Sequence, residues 1–547
     1  MPCSNWAEGD SVHDILIKGG TVVDGTGLPG RRLDVAVDGT RIAGLYHDVG
    51  SKGALIIDAK GMIVCPGFID IHTHSDLTLL CNPLAESKVM QGVTTELIGN
   101  CGSSPTPAIG NAREALEEYA KDIDVEIDWA TLDEYFLRIQ HLRTSVNVAA
   151  LVGAETVRRA VLGADDVRPN ADQLAMMKNL VAEGMLQGSH GLSSGLIYAP
   201  GCYATTEELI ALASVAASFG GLYASHIRGE SSTLVRSVEE AIRIGREAHV
   251  RVEISHHKAC GRRNWGTVQT TLGMIESARA EGVDVAFDVY PYTAACTSLD
   301  SVLPPWAKDG GAEKEIARLK DPETRARLKT EVNTLTDDWE ASAAEDGWEN
   351  IVVIGLRKPE NKKFENKSVA VIAKALAKDP TDTAFDLIID EGVLLYAIYH
   401  DISENDVMTV IKHPLGSIGS DGESLCPYGP LAQSMVHPRS YGTFPRVIRQ
   451  YAIEKRAFPL EEAIRKMTSW PAERIGLTDR GILVVGSAAD IVIFDPVKIT
   501  DRATFENAHQ FPEGISSVIV NGSVTVSDGR HTKERAGLIL RHKPAVS

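Results

Sequence analysis

The sequence predicts an α/β fold: a (β/α)8 TIM barrel, a small β-sandwich built from both chain ends, and an inserted helical subdomain. Strand-like apolar runs alternate with amphipathic helices through most of the chain. Short β-rich segments with turn signals stand at both ends. A chain of 547 residues is too long for one ordinary domain, so we expect one large core with accessory modules.

Both chain ends show the alternation of apolar and polar residues that is typical of β-strands. Glycine, aspartate and asparagine turn signals interrupt these segments. They occupy residues 14–27, 34–45, 487–495 and 514–526. We therefore expect residues 1–65 and 480–547 to form one β-sandwich together.

The middle of the chain alternates strands with helices. Strand-like runs at 222–230, 250–258 and 283–292 are separated by amphipathic segments, of which 234–250 is the clearest. This alternation predicts βα units and a parallel sheet. We expect a catalytic barrel over residues 66–479, because about 400 residues suit a (β/α)8 barrel that carries insertions.

One segment within this region departs from the pattern. Residues from about 294 to 350 are charged and helix-prone, and they contain no clear buried strand. We expect an inserted subdomain there.

Composition excludes several classes of partner. The formal net charge is −19 and no basic run occurs, which argues against binding to nucleic acid or to an anionic membrane. No apolar stretch reaches 18 residues and the N-terminus lacks a secretory pattern. Eight cysteines without a CxxC spacing indicate reduced thiols and a cytoplasmic protein. A small-molecule substrate is the expected partner, and the sequence does not determine the oligomeric state.

Two histidines follow the first strand of the expected barrel. An apolar run over residues 62–71 ends in His72-Thr73-His74. Residues i and i+2 of a strand point the same way, so both imidazoles are expected to face one metal ion. The carboxyl ends of barrel strands are where catalytic groups gather.

Four more candidate ligands follow strand-like runs in the same manner. They are Cys101, His226, His256 and Asp421. A lone histidine or cysteine is more often a packed core residue, but six such residues at strand ends form a strong pattern. Thiolate, imidazole and carboxylate together favour zinc over magnesium or calcium. The adjacent His257 is expected to point to the opposite side.

The sequence resembles the amidohydrolase superfamily through residues 66–74 and the SDG at 420–422. It is more closely similar to the N-acyl-D-amino-acid deacylase (D-aminoacylase) family, and this resemblance covers nearly the whole chain. The matching motifs are GNCG (99–102), GLSSGLIYAPG (191–201), SHIRGE (225–230), ISHHKACGRRNWG (254–266), DVYPYTA (288–294) and HPRSYGTFPR (437–446).

The resemblance implies a zinc ion held by Cys101, His226 and His256. It also implies a second, weaker metal position at His72, His74 and Asp421, with Cys101 bridging. Many amidohydrolases bridge two metals with a carboxylated lysine. The lysines between Cys101 and His226 are Lys121 and Lys178, both in helical segments, so a thiolate is expected to take that place.

The expected chemistry is hydrolysis of an amide. Zinc lowers the pKa of bound water towards about 7 and polarises the carbonyl. Asp421 is the candidate proton shuttle, because an amine leaving group must be protonated.

Substrate recognition is expected to centre on a carboxylate. Arginine, lysine and tyrosine donors suit such a group, and the resemblance assigns Tyr198, Lys258, Tyr290 and Arg439 to the α-carboxylate of an N-acyl-D-amino acid. Residues 293–317 contain no arginine, which predicts a neutral or apolar substrate side chain. Lys308 is the nearest cation, in a stretch that looks exposed.

One departure and three alternatives remain open. Where the family often shows a histidine, this chain has Ala154-Glu155, which leaves the role of that position undetermined. A cyclic-amide hydrolase of the hydantoinase or dihydroorotase type is one alternative, and Cys101 argues against it. The others are an amidase for another amide and a catalytically inactive binding protein.

Overall fold

A computed structural model describes residues 12–48 and 53–543. The first eleven residues, for which the sequence indicates no secretory signal, lie outside the described part. The seven cysteines within it are free thiols. Within the same ranges, no helix combines the length and apolarity needed to cross a bilayer.

The strands are numbered in chain order. They are β1 (His13–Val22), β2 (Arg31–Asp38), β3 (Arg41–Tyr46), β4 (Gly53–Asp58), β5 (Ile63–Pro66), β6 (Phe68–Asp70), β7 (Val93–Ile98), β8 (Asn147–Ala150), β9 (Val152–Gly153), β10 (Gly191–Gly195), β11 (Leu222–His226), β12 (Arg251–Ile254), β13 (Val285–Val289), β14 (Ala295–Ser298), β15 (Ile351–Ile354), β16 (Lys367–Ser368), β17 (Tyr396–Tyr399), β18 (Gly416–Ile418), β19 (Ile491–Phe494), β20 (Ile515–Val520), β21 (Ser523–Ser527) and β22 (Arg530–His531).

The α-helices are numbered in the same way. They are α1 (Thr78–Cys81), α2 (Glu86–Val89), α3 (Gly110–Ala120), α4 (Leu132–Leu142), α5 (Ala154–Leu162), α6 (Ala171–Leu186), α7 (Thr206–Ser218), α8 (Leu234–Ala248), α9 (Val268–Ala280), α10 (Ala312–Lys320), α11 (Pro322–Val332), α12 (Ser342–Asp346), α13 (Val369–Leu376), α14 (Pro380–Glu391), α15 (Glu404–Lys412), α16 (Arg439–Arg446), α17 (Leu460–Met467) and α18 (Ser469–Ile475). A π-helix, Val447–Glu454, continues α16.

Two parallel sheets form the centre of the molecule. One has the strand order β18-β13-β12-β11-β10-β9 and the other β6-β7-β8, and only Leu151 separates β8 from β9 along the chain. Helices α7, α8 and α9 connect successive strands from β10 to β13. Their apolar faces pack on the strands in the largest hydrophobic cluster. The predicted α/β class is confirmed.

Parallel strands bring their carboxyl ends to one edge. The residues that follow β6 and those that follow β18 meet there through a single parallel bridge between Thr73 and Gly422. Residues that follow different strands, far apart in the chain, therefore share one site.

The two chain ends share a nine-stranded sheet. Its order is β22-β21-β20-β19-β5-β1-β2-β3, with β4 paired to β1. Antiparallel pairing of β5 with β19 joins the N-terminal and C-terminal parts. A separate hydrophobic cluster, with Val35 and Ile491 among its members, packs on this sheet.

A third unit lies between β13 and α15. Strands β14, β17, β15 and β16 form a four-stranded sheet, and helices α10 to α14 pack around it in their own hydrophobic cluster. We call residues 295–399 the inserted unit. It contains the helices that the sequence predicts over 294–350 and adds strands that extend to residue 399.

Candidate active site

Six side chains gather at the carboxyl edge of the parallel strands. They fall into two groups whose ligand atoms lie within 4.8 Å of one another. The first group is Cys101, His226 and His256, and the second is His72, His74, Cys101 and Asp421. All six are the residues that the sequence singled out, and Cys101 belongs to both groups.

The first group has the spacing of a metal site. His256 Nε2 lies 3.0 Å from His226 Nδ1 and 3.6 Å from Cys101 Sγ. Ligand atoms bound to a tetrahedral zinc at about 2.0–2.3 Å are roughly 3.3–3.8 Å apart. Two imidazole nitrogens and a thiol sulfur converging in this way fit a zinc ion.

The second group adds a carboxylate. His74 Nε2 lies 2.9 Å and His72 Nε2 3.3 Å from Asp421 Oδ1. Cys101 Sγ lies 3.3 Å from His72 Nε2, so the thiol stands between the two groups. The arrangement fits a second metal position with a shared sulfur ligand.

Buried carboxylates hold the histidine rings from behind. Glu230 Oε1 lies 2.8 Å from His256 Nδ1. Asp288 lies 3.1 Å from His72 Nδ1 and also accepts a hydrogen bond from the His256 backbone N–H. These contacts leave each Nε2 free to face the cluster, an arrangement that also makes a histidine ligand more basic.

Charge keeps the shared thiol and the carboxylate ionised. Burial acts to raise the pKa of Cys101, but His72 and hydrogen bonds from His226 and His256 hold it well below its usual value. Burial likewise opposes ionisation of Asp421, yet Arg439, His72 and His256 hold its pKa well below the usual range. These neighbours therefore favour the anionic form of both groups.

Several of these residues have a left-handed backbone. The φ angles are +49° at Cys101, +35° at His256 and +52° at Asp421. Such conformations cost free energy for residues with a β-carbon and concentrate at functional sites. At these three positions they follow the ends of the strands and turn the side chains into the cluster.

A cavity of about 540 Å³ opens beside the cluster, and the four expected carboxylate-binding residues all line it. Lys258 Nζ lies 2.6 Å from Glu230 Oε1, and an Arg439 guanidinium nitrogen lies 2.6 Å from Asp421 Oδ2. The Tyr290 ring lies between these cations, with Lys258 Nζ 5.5 Å and Arg439 Cζ 5.4 Å from its centroid.

The two tyrosines differ in their contacts. The Tyr290 hydroxyl is buried and has no hydrogen-bond partner among the described residues. The Tyr198 hydroxyl lies 2.9 Å from Thr297 Oγ1 of the inserted unit. The Tyr290 hydroxyl is therefore available to a ligand, whereas the Tyr198 hydroxyl already has a partner in the protein.

The inserted unit and nearby loops give the cavity an acidic wall. Within the described ranges, the lysines and arginines that line it are Arg159, Lys258 and Arg439. The acidic residues that line it are Asp76, Glu155, Glu230, Glu340, Glu345, Asp346, Asp401, Asp421 and Glu423. Lys308 is buried, contrary to its expected exposure, and does not line the cavity.

The structure also places Glu155, whose role the sequence left undetermined, and His257, which the sequence predicts to point away from the cluster. Glu155 lines the cavity, Gly195 N–H donates to its Oε1 at 2.9 Å, and burial raises its pKa to about 8. His257 points away and contacts Thr271 Oγ1 at 2.9 Å. Lys121 and Lys178 lie in helical turns away from the cavity.

Sequence reasoning missed the carboxylates behind the histidines. Glu230 closes the SHIRGE motif and Asp288 interrupts an apolar strand. A charge inside a buried strand was the available signal for Asp288. Glu230 carried no signal of its own beyond its place in the motif.

Histidines, a shared thiolate and a buried carboxylate at the edge of parallel strands define a metal-dependent hydrolase. Residues 55–526 match the model of the amidohydrolase family. The chain is 36% identical to D-aminoacylase of Alcaligenes xylosoxydans xylosoxydans over 97% of its own length and 98% of the relative's. It belongs to the amidohydrolase family, in the D-aminoacylase group.

Other relatives and solved structures agree with this placement. N-acyl-D-glutamate deacylase of Alcaligenes xylosoxydans xylosoxydans is 35% identical, with 98% of each chain covered. The structure of N-acyl-D-glutamate deacylase from Bordetella bronchiseptica, complexed with zinc and a phosphonate inhibitor, matches with a TM-score of 0.80. That match is 33% identical and covers 97% of this chain and all of the other. A D-aminoacylase structure matches with the same TM-score, 34% identity and the same coverage.

Proposed function

We propose that this protein hydrolyses the acyl amide bond of N-acyl-D-amino acids with the help of zinc, releasing a carboxylate and a free D-amino acid. The observation that carries the proposal is the juxtaposition of the ligand cluster with Lys258, Tyr290 and Arg439 on one cavity. A cationic and phenolic set beside a hydrolytic centre suits a substrate with a carboxylate next to the cleaved amide. The D-configuration rests on the names of the relatives.

The proposed metal is zinc, with one tight position and a second weaker one. Cys101, His226 and His256 hold the first, because thiolate and imidazole favour zinc. His72, His74 and Asp421 hold the second and share Cys101. Zinc bound at these positions would act as a Lewis acid that lowers the pKa of water and polarises the scissile carbonyl.

Asp421 is the proposed proton shuttle. Its carboxylate is ionised because Arg439 and the neighbouring histidines lower its pKa. It takes the proton of the attacking water and then donates it to the leaving nitrogen, which converts a poor leaving group into a neutral amine.

The proposed carboxylate site consists of Tyr198, Lys258, Tyr290 and Arg439. Arg439 can bind a substrate carboxylate while it holds Asp421, because a guanidinium has five N–H donors. Because Arg439 contacts both groups, the position of the substrate carboxylate is coupled to that of the Asp421 carboxylate. Lys258 provides a second cation, held in place by Glu230.

We further propose that the parallel strands close into one (β/α)8 barrel. Eight strand positions (β6, β7, β8 with β9, β10, β11, β12, β13 and β18) and the Thr73–Gly422 bridge support closure. The catalytic domain would span 66–479, interrupted by the inserted unit. The β-rich domain would combine 1–65 with 480–547.

The proposed side-chain preference is for neutral or apolar D-residues. An acidic substrate side chain would enter a cavity lined by nine acidic residues and three cations, and two of these cations, Lys258 and Arg439, are assigned to the α-carboxylate. Arg159 is the remaining cation on the cavity, and within the described ranges Lys308 does not reach the cavity. Burying an unpaired carboxylate costs several kcal/mol. A cytoplasmic location stays a prediction.

A matched panel of N-acetyl-D- and N-acetyl-L-amino acids, with metal analysis of the same sample, tests the proposal. We expect at least one zinc per chain and kcat/KM values at least 100-fold higher for the D-isomers. Faster turnover of L-isomers, or of hydantoins, would contradict it.

A further inference from the structure

Lys88 is a completely buried lysine that the proposed mechanism does not use. It lies in the short helix α2, and its ammonium group donates three hydrogen bonds. These bonds reach Asp70 Oδ2 at 2.8 Å, Ser420 Oγ at 2.6 Å and Gly422 O at 3.3 Å. Its partners are thus the last residue of β6 and the two residues on either side of Asp421.

These contacts lie where the strand ladder is weakest. Between the ends of β6 and β18, the described backbone pairing is the single Thr73–Gly422 bridge. Asp421 N–H donates to His72 O at 2.8 Å, and His74 N–H donates to Gly422 O at 3.0 Å. The loop that carries Asp421 therefore depends on few backbone bonds.

Asp70 strengthens the same junction from the other side. Its Oδ1 accepts a hydrogen bond from Ser420 N–H at 2.8 Å, while its Oδ2 accepts one from Lys88. Ser420 Oγ also accepts from Gly422 N–H at 3.0 Å. Lys88 and Asp70 together therefore hold both ends of the Ser420–Gly422 turn.

A buried ion pair of this kind is not explained by stability. Removing two charges from water costs about as much as their attraction returns, and apolar replacements are often neutral or stabilising. What such a pair does supply is a fixed geometry. Asp421 has a left-handed backbone, which costs some free energy for a residue with a β-carbon, so contacts that fix this turn help to hold the side chain in place.

We propose that Lys88 is a positioning residue: with Asp70 it fixes the Ser420–Gly422 turn so that the Asp421 carboxylate faces His72 and His74. Its effect on catalysis rests on the proposed function of Asp421. Its effect on the second metal position does not depend on that function, because zinc binding to this chain's own ligands can be measured without any reaction.

The test compares wild type with the double variant Lys88→Met/Asp70→Asn. Removing both charges avoids leaving Asp70 buried and unpaired. Glu96, 4.0 Å from Lys88 Nζ, loses this cation but keeps its hydrogen bonds from Ser75 and Ser424. Metal-freed protein is titrated with zinc, and kcat and KM are measured with N-acetyl-D-methionine. We expect the first zinc to bind within threefold of wild type and the second at least tenfold more weakly. We expect kcat to fall about 100-fold, as for misplacement by about 1 Å, with KM within threefold.

Lys466→Met is the matched control. Lys466 is equally buried, but its side-chain nitrogen donates to Gly416 O at 3.0 Å and to His413 O, at the opposite end of β18. We expect this variant to keep wild-type zinc affinities and kcat within threefold.

Two results would overturn the proposal. One is a folded double variant with the second zinc affinity and kcat both within threefold of wild type. The other is an equal loss in Lys466→Met, which would mean that any buried lysine has this effect. If wild type cleaves no N-acyl-D-amino acid, the deacylase proposal fails, while the zinc titration still decides the role of Lys88.

Discussion

At the scale of single residues, Cys101 is the centre of the site. Its sulfur lies 3.3 Å from one histidine nitrogen and 3.6 Å from another, each in a different ligand group. Its thiol has a strongly lowered pKa because three histidines surround it. One side chain therefore belongs to both groups of candidate ligands.

We expect Cys101→Ala to lose both zinc and activity, because the anionic ligand common to both groups is gone. Elemental analysis and turnover of N-acetyl-D-methionine measure the two effects. Cys65→Ala is the matched control, since Cys65 is a buried free thiol in β5, outside the cavity. Full zinc occupancy in Cys101→Ala would remove this residue from the ligand set.

Asp421→Asn separates proton transfer from metal binding. The amide keeps the size of the side chain but cannot accept a proton, so kcat should fall by at least roughly 10²–10⁴-fold. The zinc at Cys101, His226 and His256 should remain, because none of these residues changes. A variant that keeps a tenth of wild-type turnover would show that another group moves the proton.

The sequence could single out the six candidate ligands that the structure brings together, because each closes a strand-like run. The contacts of Lys88 could not. Its sequence neighbours resemble an ordinary amphipathic turn, and Ser420 lies 332 residues away in the chain. Lys88 belongs to the site only because the ends of β6 and β18 lie next to each other in the folded protein.

At the scale of elements, the alternation of strands and helices from β10 to β13 follows the predicted order. The sheet of the inserted unit was not predicted, because β14, β15 and β17 have four residues each and runs of that length have no reliable period. Their side chains pack against helices of the same unit, which the local sequence does not indicate.

Lys466 in helix α17 makes the free energy of unfolding depend on pH. Burial lowers the pKa of Lys466 to about 7, whereas an unfolded lysine titrates near 10.4. Between these values the unfolded chain binds more protons, so this residue makes the free energy of unfolding rise with pH. The slope is at most about 1.4 kcal/mol per pH unit.

Lys466→Met should remove this residue's contribution to the slope of the free energy of unfolding against pH. Urea unfolding at several pH values between 7 and 10, for wild type and variant, measures the difference. Thiols and tyrosines that titrate in the same range contribute equally in both proteins, so their contributions cancel in the difference. Parallel curves for the two proteins would mean that Lys466 is not neutral in the folded state.

At the scale of the whole molecule, two units share one cavity. The candidate ligands follow the parallel strands, and the cations lie in α5, after β12 and in α16, while the inserted unit supplies Glu340, Glu345 and Asp346. The candidate ligands and part of the acidic wall therefore come from different parts of the chain.

We expect kcat/KM for N-acetyl-D-methionine to exceed that for N-acetyl-D-glutamate by about 100-fold or more, because an acidic side chain would be buried against other carboxylates. Steady-state kinetics with the two substrates measures the ratio. Lys308→Met should leave it unchanged, since this buried lysine does not line the cavity. A faster D-glutamate substrate would mean that a cation reaches the side chain.

The pairing of β5 with β19 also governs how the protein can be made. Residues 63–66 leave the ribosome long before residues 491–494, with which they pair. Until then, β5 has an unpaired edge, the kind of surface at which nascent chains associate with one another. Synthesis must reach the last part of the message before the first part can finish folding. A prematurely terminated chain would lack β19 and would leave that edge open for the rest of its lifetime.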